Sequence, residues 1–376
     1  MRVARRVNRK ALICGAGIGG LSAGLALAQQ GWQVDLREKA QSLDEAGAGV
    51  QLSPNATRVL QNLGLLEAVL AGASTPDAVV VRRGHDGAEL SRMPLGAGAQ
   101  LRWGAPSVVM HRADLQSVLL DAILKNPNIT LRLNAAKTDL ELEGADVLIG
   151  ADGLRSGIRQ ALGVAGGLKF TGQVAWRALI PMADVPPALH ANETALWLGA
   201  KTHLVHYPLR GATVLNVVAI VEMDATGTGW SEQAAPDALH HAFAGWTRAA
   251  RELLRAAPDW RCWSLYDRDP AKRWGRGGIT LLGDAAHPML PFLAQGAAQA
   301  IEDAGSLARH LAGEIEPGLR AYEAERIPRT GKVQLAARQQ AKIYHLSGVS
   351  GMARDLVMKG LGPERLQARY DWIYRG

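Results

Sequence analysis

A chain of 376 residues with 48% hydrophobic and 20% charged side chains is long enough for two interleaved domains and too balanced for a disordered or fibrous protein. The net charge of +7 owes five positive charges to Arg2, Arg5, Arg6, Arg9 and Lys10, and no basic stripe interleaved with aromatics follows, which argues against a nucleic-acid partner. Cys14 and Cys262 are the only cysteines; they lack metal-ligand spacing and imply no disulfide framework, so a reducing, cytoplasmic location and no metal site are expected.

Ala11 to Cys14 reads as a short buried parallel strand. Gly15, Gly17 and Gly20 then fall in G-x-G-x-x-G spacing and open an apolar helix that ends at Gly31. The first glycine permits a tight turn, the second lets backbone approach a pyrophosphate, and the third lets helix pack on strand. A basic start before an uncharged run imitates a signal peptide or a membrane span, but five glycines within Ala11 to Ala28 argue against both. Gln33 to Arg37 is a second strand ending at Glu38, about twenty residues past the glycines, where a carboxylate can accept both hydroxyls of an adenosine ribose. The fingerprint does not separate NAD from FAD.

Val147 to Ile149 repeats the logic: an apolar strand, a turn at Asp152-Gly153, and a helix begun by Arg155 and Ser156. Asp152 suits a dinucleotide edge, and it equally suits a helix cap. Lys201 to Gly211 reads as a strand on which His203 and Tyr207 share one face while His206 points the other way. Thr213 to Met223 is a further strand, and Pro236 to Ala256 reads as one helix. Ile279 to Leu282 is a strand with Asp284 at its carboxyl end, where open α/β sheets bind ligands. Pro288 and Pro291 exclude a helix from the next loop, His287 reads as a residue that holds it, and a helix restarts at Gly296 and runs from Ala297 to about Ala312. Residues 316–376 should be helical, with Pro328 kinking a long helix; amphipathic character from Ile343 to Leu361 suits packing or a homodimer contact.

These elements, with GAGVQLSPNATRVL (Gly47–Leu60), HRADL (His111–Leu115), YDRDP (Tyr266–Pro270), HPMLPFLAQGA, YEAERIPR (Tyr322–Arg329) and RYDWIY (Arg369–Tyr374), resemble the group A FAD-dependent aromatic hydroxylases of the p-hydroxybenzoate hydroxylase fold. The nearest likeness is to salicylate and 3-hydroxybenzoate 6-hydroxylases, and it covers almost the whole chain. The resemblance implies an FAD cofactor. Gly15, Gly17, Gly20 and Glu38 would hold its ADP half, and Arg112 would approach the phosphate or ribityl region, unless it forms a surface salt bridge. Asp284 would bind the ribityl and pyrophosphate side, with the backbone of Gly49, Val50, Gly296, Ala297 and Ala298 beside the flavin ring. NADH or NADPH would act as a transient co-substrate, with Asp152 and Arg155 serving both cofactors. A flavin hydroperoxide would then pass one atom of molecular oxygen to a small phenolic aromatic. His203 would be the base, Tyr207 a hydroxyl-binding partner, and Gln295 a substrate contact; the alternative for the histidines is a place on a half-exposed sheet.

The resemblance further implies an α/β fold: a Rossmann-like FAD-binding domain from residues 8–75, 105–165 and 275–315, interleaved with a mostly antiparallel β-sheet substrate domain from 76–104 and 166–274, and a helical tail at 316–376. One departure stands out. Relatives carry a longer β-meander where this chain has only AAKTDLELEG between Asn134 and Ala145, which puts stability in question. Rival readings are an oxygenase of epoxidase type acting on a non-aromatic substrate and a non-catalytic FAD-binding protein. A pure NAD dehydrogenase would need a catalytic set that is missing after the first βαβ unit. A flavin halogenase would need a second tryptophan where VAWRALIP has Ala178.

Overall fold

The computed structural model describes residues 9–43, 49–223, 232–233 and 236–375. Most of the basic N-terminal tail, and Gly47 and Ala48 of the Gly47–Leu60 motif, lie outside the described residues.

The first sheet is entirely parallel, in the order β15-β8-β1-β2-β7, built from β1 (Lys10–Cys14), β2 (Gln33–Arg37), β7 (Ile129–Arg132), β8 (Val147–Gly150) and β15 (Ile279–Leu281). Its central strands are apolar on both faces because helices cover both: Val147 to Gly150 are all buried. Helix α1 (Ile18–Gln29) packs against α5 (Arg112–Leu124) and α9 (Gly296–His310). Small side chains make that approach possible: a Cβ on Gly19 would lie 2.8 Å from Leu282 and 3.2 Å from Ala300. Helices α2 (Pro54–Asn62), α3 (Leu66–Gly72) and α6 (Gly157–Ala161) complete this layer, and α2 also leans on α9.

The second sheet has eight strands in the order β13-β14-β9-β12-β11-β10-β4-β5. They are β4 (Ala78–Arg83), β5 (Glu89–Pro94), β9 (Lys169–Pro181), β10 (Glu193–Gly199), β11 (Thr202–Leu209), β12 (Val214–Glu222), β13 (Glu232–Gln233) and β14 (Arg261–Asp267). Every pairing is antiparallel except β10 with β4. One face carries Trp176, Trp197 and Leu204 against α7 (Asp237–Ala242) and α8 (Arg248–Ala256). The other carries Ala175, Leu198 and Ile220 against Phe292, Ala337 and Tyr344. A two-stranded ribbon, β3 (Gly49–Leu52) with β6 (Val108–His111), bridges the layers, and α4 (Ala97–Trp103) packs with Met93 and Leu95 at the end of β5 and with Tyr370 and Tyr374.

Several expectations need correction. The single helix expected over Pro236 to Ala256 is two, because Phe243 and Trp246 turn into the core at 4.6 Å from each other and Thr247 caps a new helix by accepting from the Ala250 N–H at 3.2 Å. The helix after the Asp284 loop begins at Gly296 itself and ends at His310. The C-terminal region is helical, as expected, and comprises four helices, α10 (Ile315–Tyr344), α11 (Gly348–Gly360), α12 (Pro363–Ala368) and α13 (Asp371–Tyr374). Helix α10 runs through Pro328 as one element of 30 residues, and Thr330 Oγ1 donates to the Arg326 carbonyl at 2.9 Å beside the missing N–H.

The short segment after β7 replaces a meander with side-chain ties. Lys137 Nζ, with its side chain only 2% exposed, reaches Asp139 at 2.6 Å and Glu143 at 2.8 Å, and Glu143 also accepts from Arg37. The Ala135 N–H donates to the Glu38 carbonyl at 2.8 Å, which draws the segment along the sheet edge. The exposed edge strand β7 is four residues long and carries Thr130 and Arg132 outward, a short, polar edge of the kind that resists edge-to-edge pairing.

Candidate functional site

The parallel sheet makes a site at its carboxyl edge, where three strand-to-helix turns meet. After β1, Gly15 takes a φ of +106°, and a Cβ there would run into the Ala151 carbonyl of the neighbouring turn. A Cβ on Gly20 would strike the Gly15 carbonyl. Gly17 differs: nothing lies within 4 Å of the Cβ it lacks, and it forms the N-cap of α1. Two of these glycines therefore let the turn close on itself, and the third keeps open the approach to the helix N-terminus. Glu38 stands across from it and accepts from the Ala16 N–H at 2.8 Å.

A cleft of about 930 Å³ runs from these residues past Arg112, Asp152, Tyr266 and Asp284 to Arg177 and Trp263 of the second sheet. Gly296, the first residue of α9, likewise has nothing within 4 Å of an added Cβ. Ala297 and Ala298 follow it, and Ala298 is fully buried. A groove with the open N-terminus of α1, a carboxylate across from it and a glycine turn at its wall fits an elongated, phosphorylated cofactor, while the open start of α9 lies beyond the residues that line this cleft.

Asp152 caps a helix: its oxygens accept from Ser156 Oγ and, at 3.1 Å, from the Ile158 N–H. It borders the cleft while holding the second turn in shape. Asp284 opens to the cleft although it lies deep among protein atoms. Burial raises its pKa, and the nearby His287 and Arg112 oppose that rise.

The loop after Asp284 is fixed from three sides. Arg159 donates to the Ala285 and Ala286 carbonyls at 3.0 and 2.9 Å, Gln334 donates to the Pro288 carbonyl at 2.7 Å, and His287 meets Asp303 at 2.5 Å. Asp303 also accepts from the Gly283 N–H at 3.0 Å and from Arg326 at 2.6 Å. Burial pushes its pKa up, but His287 and Arg326 win and hold it below the usual carboxylate range. The segment YEAERIPR thereby acquires a physical meaning. Tyr322 donates to the Leu281 carbonyl, Glu323 accepts from Thr280, Arg326 spans Asp303 and Glu302, and Arg329 joins Glu302 and carries the carbonyls of Trp372 and Ile373.

Gln295 is 1% exposed. Its amide donates to Ser53 Oγ at 2.8 Å, and its oxygen accepts from Asn55 and Gln299 at 3.2 and 3.1 Å, which fixes the entrance of α9.

On β11 the alternation is as expected. His206 faces Trp197, whose Nε1–H it accepts at 3.0 Å, and burial pushes its pKa down to about 3. His203 and Tyr207 lie on the opposite face, His203 toward α10 and Tyr207 toward the β3–β6 ribbon, and both are 3% exposed. The half-exposed alternative for these histidines therefore fails. The His203 ring packs 5.2 Å from Phe292 and 5.3 Å from Tyr344, and its Nδ1 lies 2.8 Å from His345 Nε2. Burial, with His345 beside it, holds His203 well below the ordinary histidine value, so it is neutral. Tyr207 lies against the ribbon: a Cβ on Gly49 would be 2.5 Å from its hydroxyl. Asn216 fixes that same strand by accepting from the Gly49 N–H at 2.7 Å, with Val50 next in line. Burial raises the Tyr207 pKa, and Arg177 counters it.

Arg177 escaped the sequence reading. It stands in β9 between Trp176 and Ala178, reaches the cleft, and lies 5.3 Å from the Trp263 ring. A lone cation inside a buried apolar strand was the available signal. Among the described residues no cluster of three His, Cys, Asp or Glu could hold a metal ion, and no helix is long and apolar enough to cross a membrane.

Comparison with known proteins places the chain in a family. Residues 8–122 and 95–337 match the family described as an FAD binding domain. The chain is 35% identical over 382 residues to 3-hydroxybenzoate 6-hydroxylase of Klebsiella oxytoca, covering 97% of this chain and 96% of that one. Among solved structures it superposes on a salicylate hydroxylase substrate complex with a TM-score of 0.82 at 27% identity, covering 98% of this chain and 95% of that one. It also superposes on Klebsiella pneumoniae HpxO complexed with FAD and uric acid, with a TM-score of 0.87 at 26% identity over 100% of this chain and 99% of that one. The chain belongs to this FAD-binding family and, within it, to the FAD-dependent aromatic hydroxylases.

Proposed function

We propose that this protein hydroxylates a hydroxybenzoate-like phenol, consuming NADH or NADPH and molecular oxygen, with His203 as the base. FAD, when bound, accepts hydride from the nicotinamide and delivers one oxygen atom to the ring. The chain's residues bind, orient and move protons. Gly17 and Gly296 leave room at two helix N-termini, whose positive ends favour the pyrophosphate and the reduced flavin. Gly15 and Gly20 shape the first turn, Glu38 holds the ribose, and Arg112 and Asp284 contact the central part of the cofactor. Gly49, Val50, Ala297 and Ala298 flank the ring, while Asp152 and Gln295 set the positions of two of these turns through their hydrogen bonds.

Hydroxylation of a phenol is faster from the phenolate, so a neutral, desolvated imidazole that can take the hydroxyl proton is the group the chemistry needs. The single observation that carries this reading is the placement of His203 and Tyr207 on one buried face of β11, with Tyr207 against the ribbon strand that carries Gly49 and Val50. Tyr207 would orient the substrate hydroxyl. We assign the cofactor to residues 8–75, 105–165 and 275–315, the substrate to 76–104 and 166–274, and a helical tail to 316–376. We also assign the protein to the cytoplasm, consistent with two buried free cysteines, Cys14 with its thiol pushed up to about 12 by burial. The apolar side chains exposed on α11, such as Val349, Met352 and Leu356, suit a homodimer contact.

The test is reconstitution with FAD, followed by NADH and NADPH oxidation with 3-hydroxybenzoate, salicylate and 6-hydroxynicotinate, with products identified by mass. One of these rings should stimulate oxidation and gain one oxygen atom. Ring-independent oxidation without any hydroxylated product would refute the reading.

A further inference from the structure

His203 is not the end of its hydrogen-bond chain. Its Nδ1 lies 2.8 Å from His345 Nε2, and His345 Nδ1 lies 2.7 Å from Glu222 Oε1. The two links connect β11, the residue that closes α10, and the last residue of β12. Exposure rises sharply along the chain: the His345 side chain is 3% exposed and that of Glu222 is 37% exposed. We infer that His345 and Glu222 form a proton conduit that carries the substrate's phenolic proton from His203 to bulk water, an inference that rests on the assignment of His203 as the base.

The step balances without any other reactant. With Nδ1–H tautomers on both rings, the phenol O–H proton passes to His203 Nε2 as the Nδ1 proton of His203 passes to His345 Nε2. The Nδ1 proton of His345 passes to Glu222, which releases it to water. The substrate becomes phenolate, each imidazole ends neutral in the other tautomer, and Glu222 returns to carboxylate. When the product phenolate is reprotonated the sequence runs backwards and restores the starting tautomers.

The surroundings suit transfer rather than storage of charge. Burial lowers both His203 and His345 from the ordinary histidine value, and Glu222 only partly offsets this for His345. Arg354, packed over His345 from α11, opposes a charge there. Its own guanidinium is held by the Ile343, Tyr344 and Leu346 carbonyls and by Asp355. Gln173 is the other side chain at His345 Nδ1, at the longer distance of 3.4 Å. Phe292 and Tyr344 pack against the His203 ring and help to bury it, which leaves the histidine–carboxylate line as the hydrogen-bonded way out.

The experiment mixes FAD-loaded enzyme with 3-hydroxybenzoate in weakly buffered solution. It follows the phenolate absorption of the ring and, separately, proton appearance with a pH-indicator dye. Glu222→Gln, a surface change that should leave the fold and the yellow colour intact, is expected to slow proton appearance about tenfold or more, with substrate affinity unchanged. Added buffer should restore the rate. His345→Gln should slow it further, and imidazole should rescue it. Proton appearance at the unaltered rate in both variants, indifferent to buffer, overturns the conduit. His203→Ala separates the two ideas. If it abolishes phenolate formation while the Glu222 and His345 variants release protons normally, the base stands and the conduit falls. If His203→Ala forms phenolate normally, the base assignment falls and the conduit with it.

Discussion

The two sheets build their halves of the site in opposite ways. The parallel sheet offers mostly backbone: Gly17 and Gly296 leave space at helix N-termini, and the side chains nearby, such as Asp152 and His287, mainly hold turns. The antiparallel sheet offers side chains: His203, Tyr207, Asn216 and Arg177 project from long, regular strands. A cofactor common to many reactions can be held by backbone geometry, whereas a particular substrate must be read by side-chain chemistry. Substitutions on one side should therefore disturb cofactor binding and folding, and on the other turnover.

The sharpest test of that division is His203→Ala. We expect it to bind FAD like the parent and to lose about 10²- to 10⁴-fold in hydroxylation, the range for removal of a general base. Loss of the yellow colour on purification would break the comparison. On the other side, Arg326→Ala strips one charge partner from Asp303, which keeps His287, and one from Glu302, which keeps Arg329; Asp303 is fully buried. About 3–5 kcal/mol of stability should be lost in denaturant unfolding. A change below 1 kcal/mol would mean that the clamp on the Asp284 loop is dispensable. Two glycine substitutions sharpen the picture within one motif. Gly20→Ala drives a methyl into the Gly15 carbonyl and should cost roughly 1–3 kcal/mol even without cofactor. Gly17→Ala has space, so the apoprotein should melt as the parent does while FAD affinity falls about tenfold, roughly 1.4 kcal/mol. Equal behaviour of the two in calorimetry and FAD titration would show that the turn is read wrongly.

Near neutral pH the smallest effect concerns acid. His206 has its pKa pushed down to about 3 by burial, so the folded state prefers the neutral ring. Its contribution is complete above the unfolded value near 6.5 and is lost as the pH falls toward about 3, at up to about 1.4 kcal/mol for each pH unit. His203, also depressed, adds in the same direction. Melting temperature should decline below about pH 6.5, and His206→Asn should flatten that decline. A profile that is steepest in the parent above neutrality would contradict the sign.

The same contrast explains what the sequence made legible. Strand β2 and the glycine turn could be read because each residue there answers to a local rule of twist, φ or approach distance. The opposite faces of His203 and His206 followed from a period of two. What stayed hidden depended on residues far apart in the chain. His345 meets His203 across 142 positions, and Arg326 meets Asp303 across 23; no periodicity encodes either. The long helix expected at Pro236 to Ala256 failed because Phe243 and Trp246 gain more by turning into the eight-stranded sheet than by continuing the spiral. The short segment after β7 was legible as a departure in length, but its ties were not: one buried ammonium between two carboxylates holds it to itself.

Helix α10 has a consequence for what evolution or engineering can do to this chain. Its first half grips the loop beside Asp284, and the residue that closes it delivers His345 to His203. A single inserted residue between these stations would turn the far end by about 100° and advance it about 1.5 Å, which detaches one partner whichever end stays seated. Insertions and deletions should therefore be purged from this rod, and length variants should gather in the connections around it.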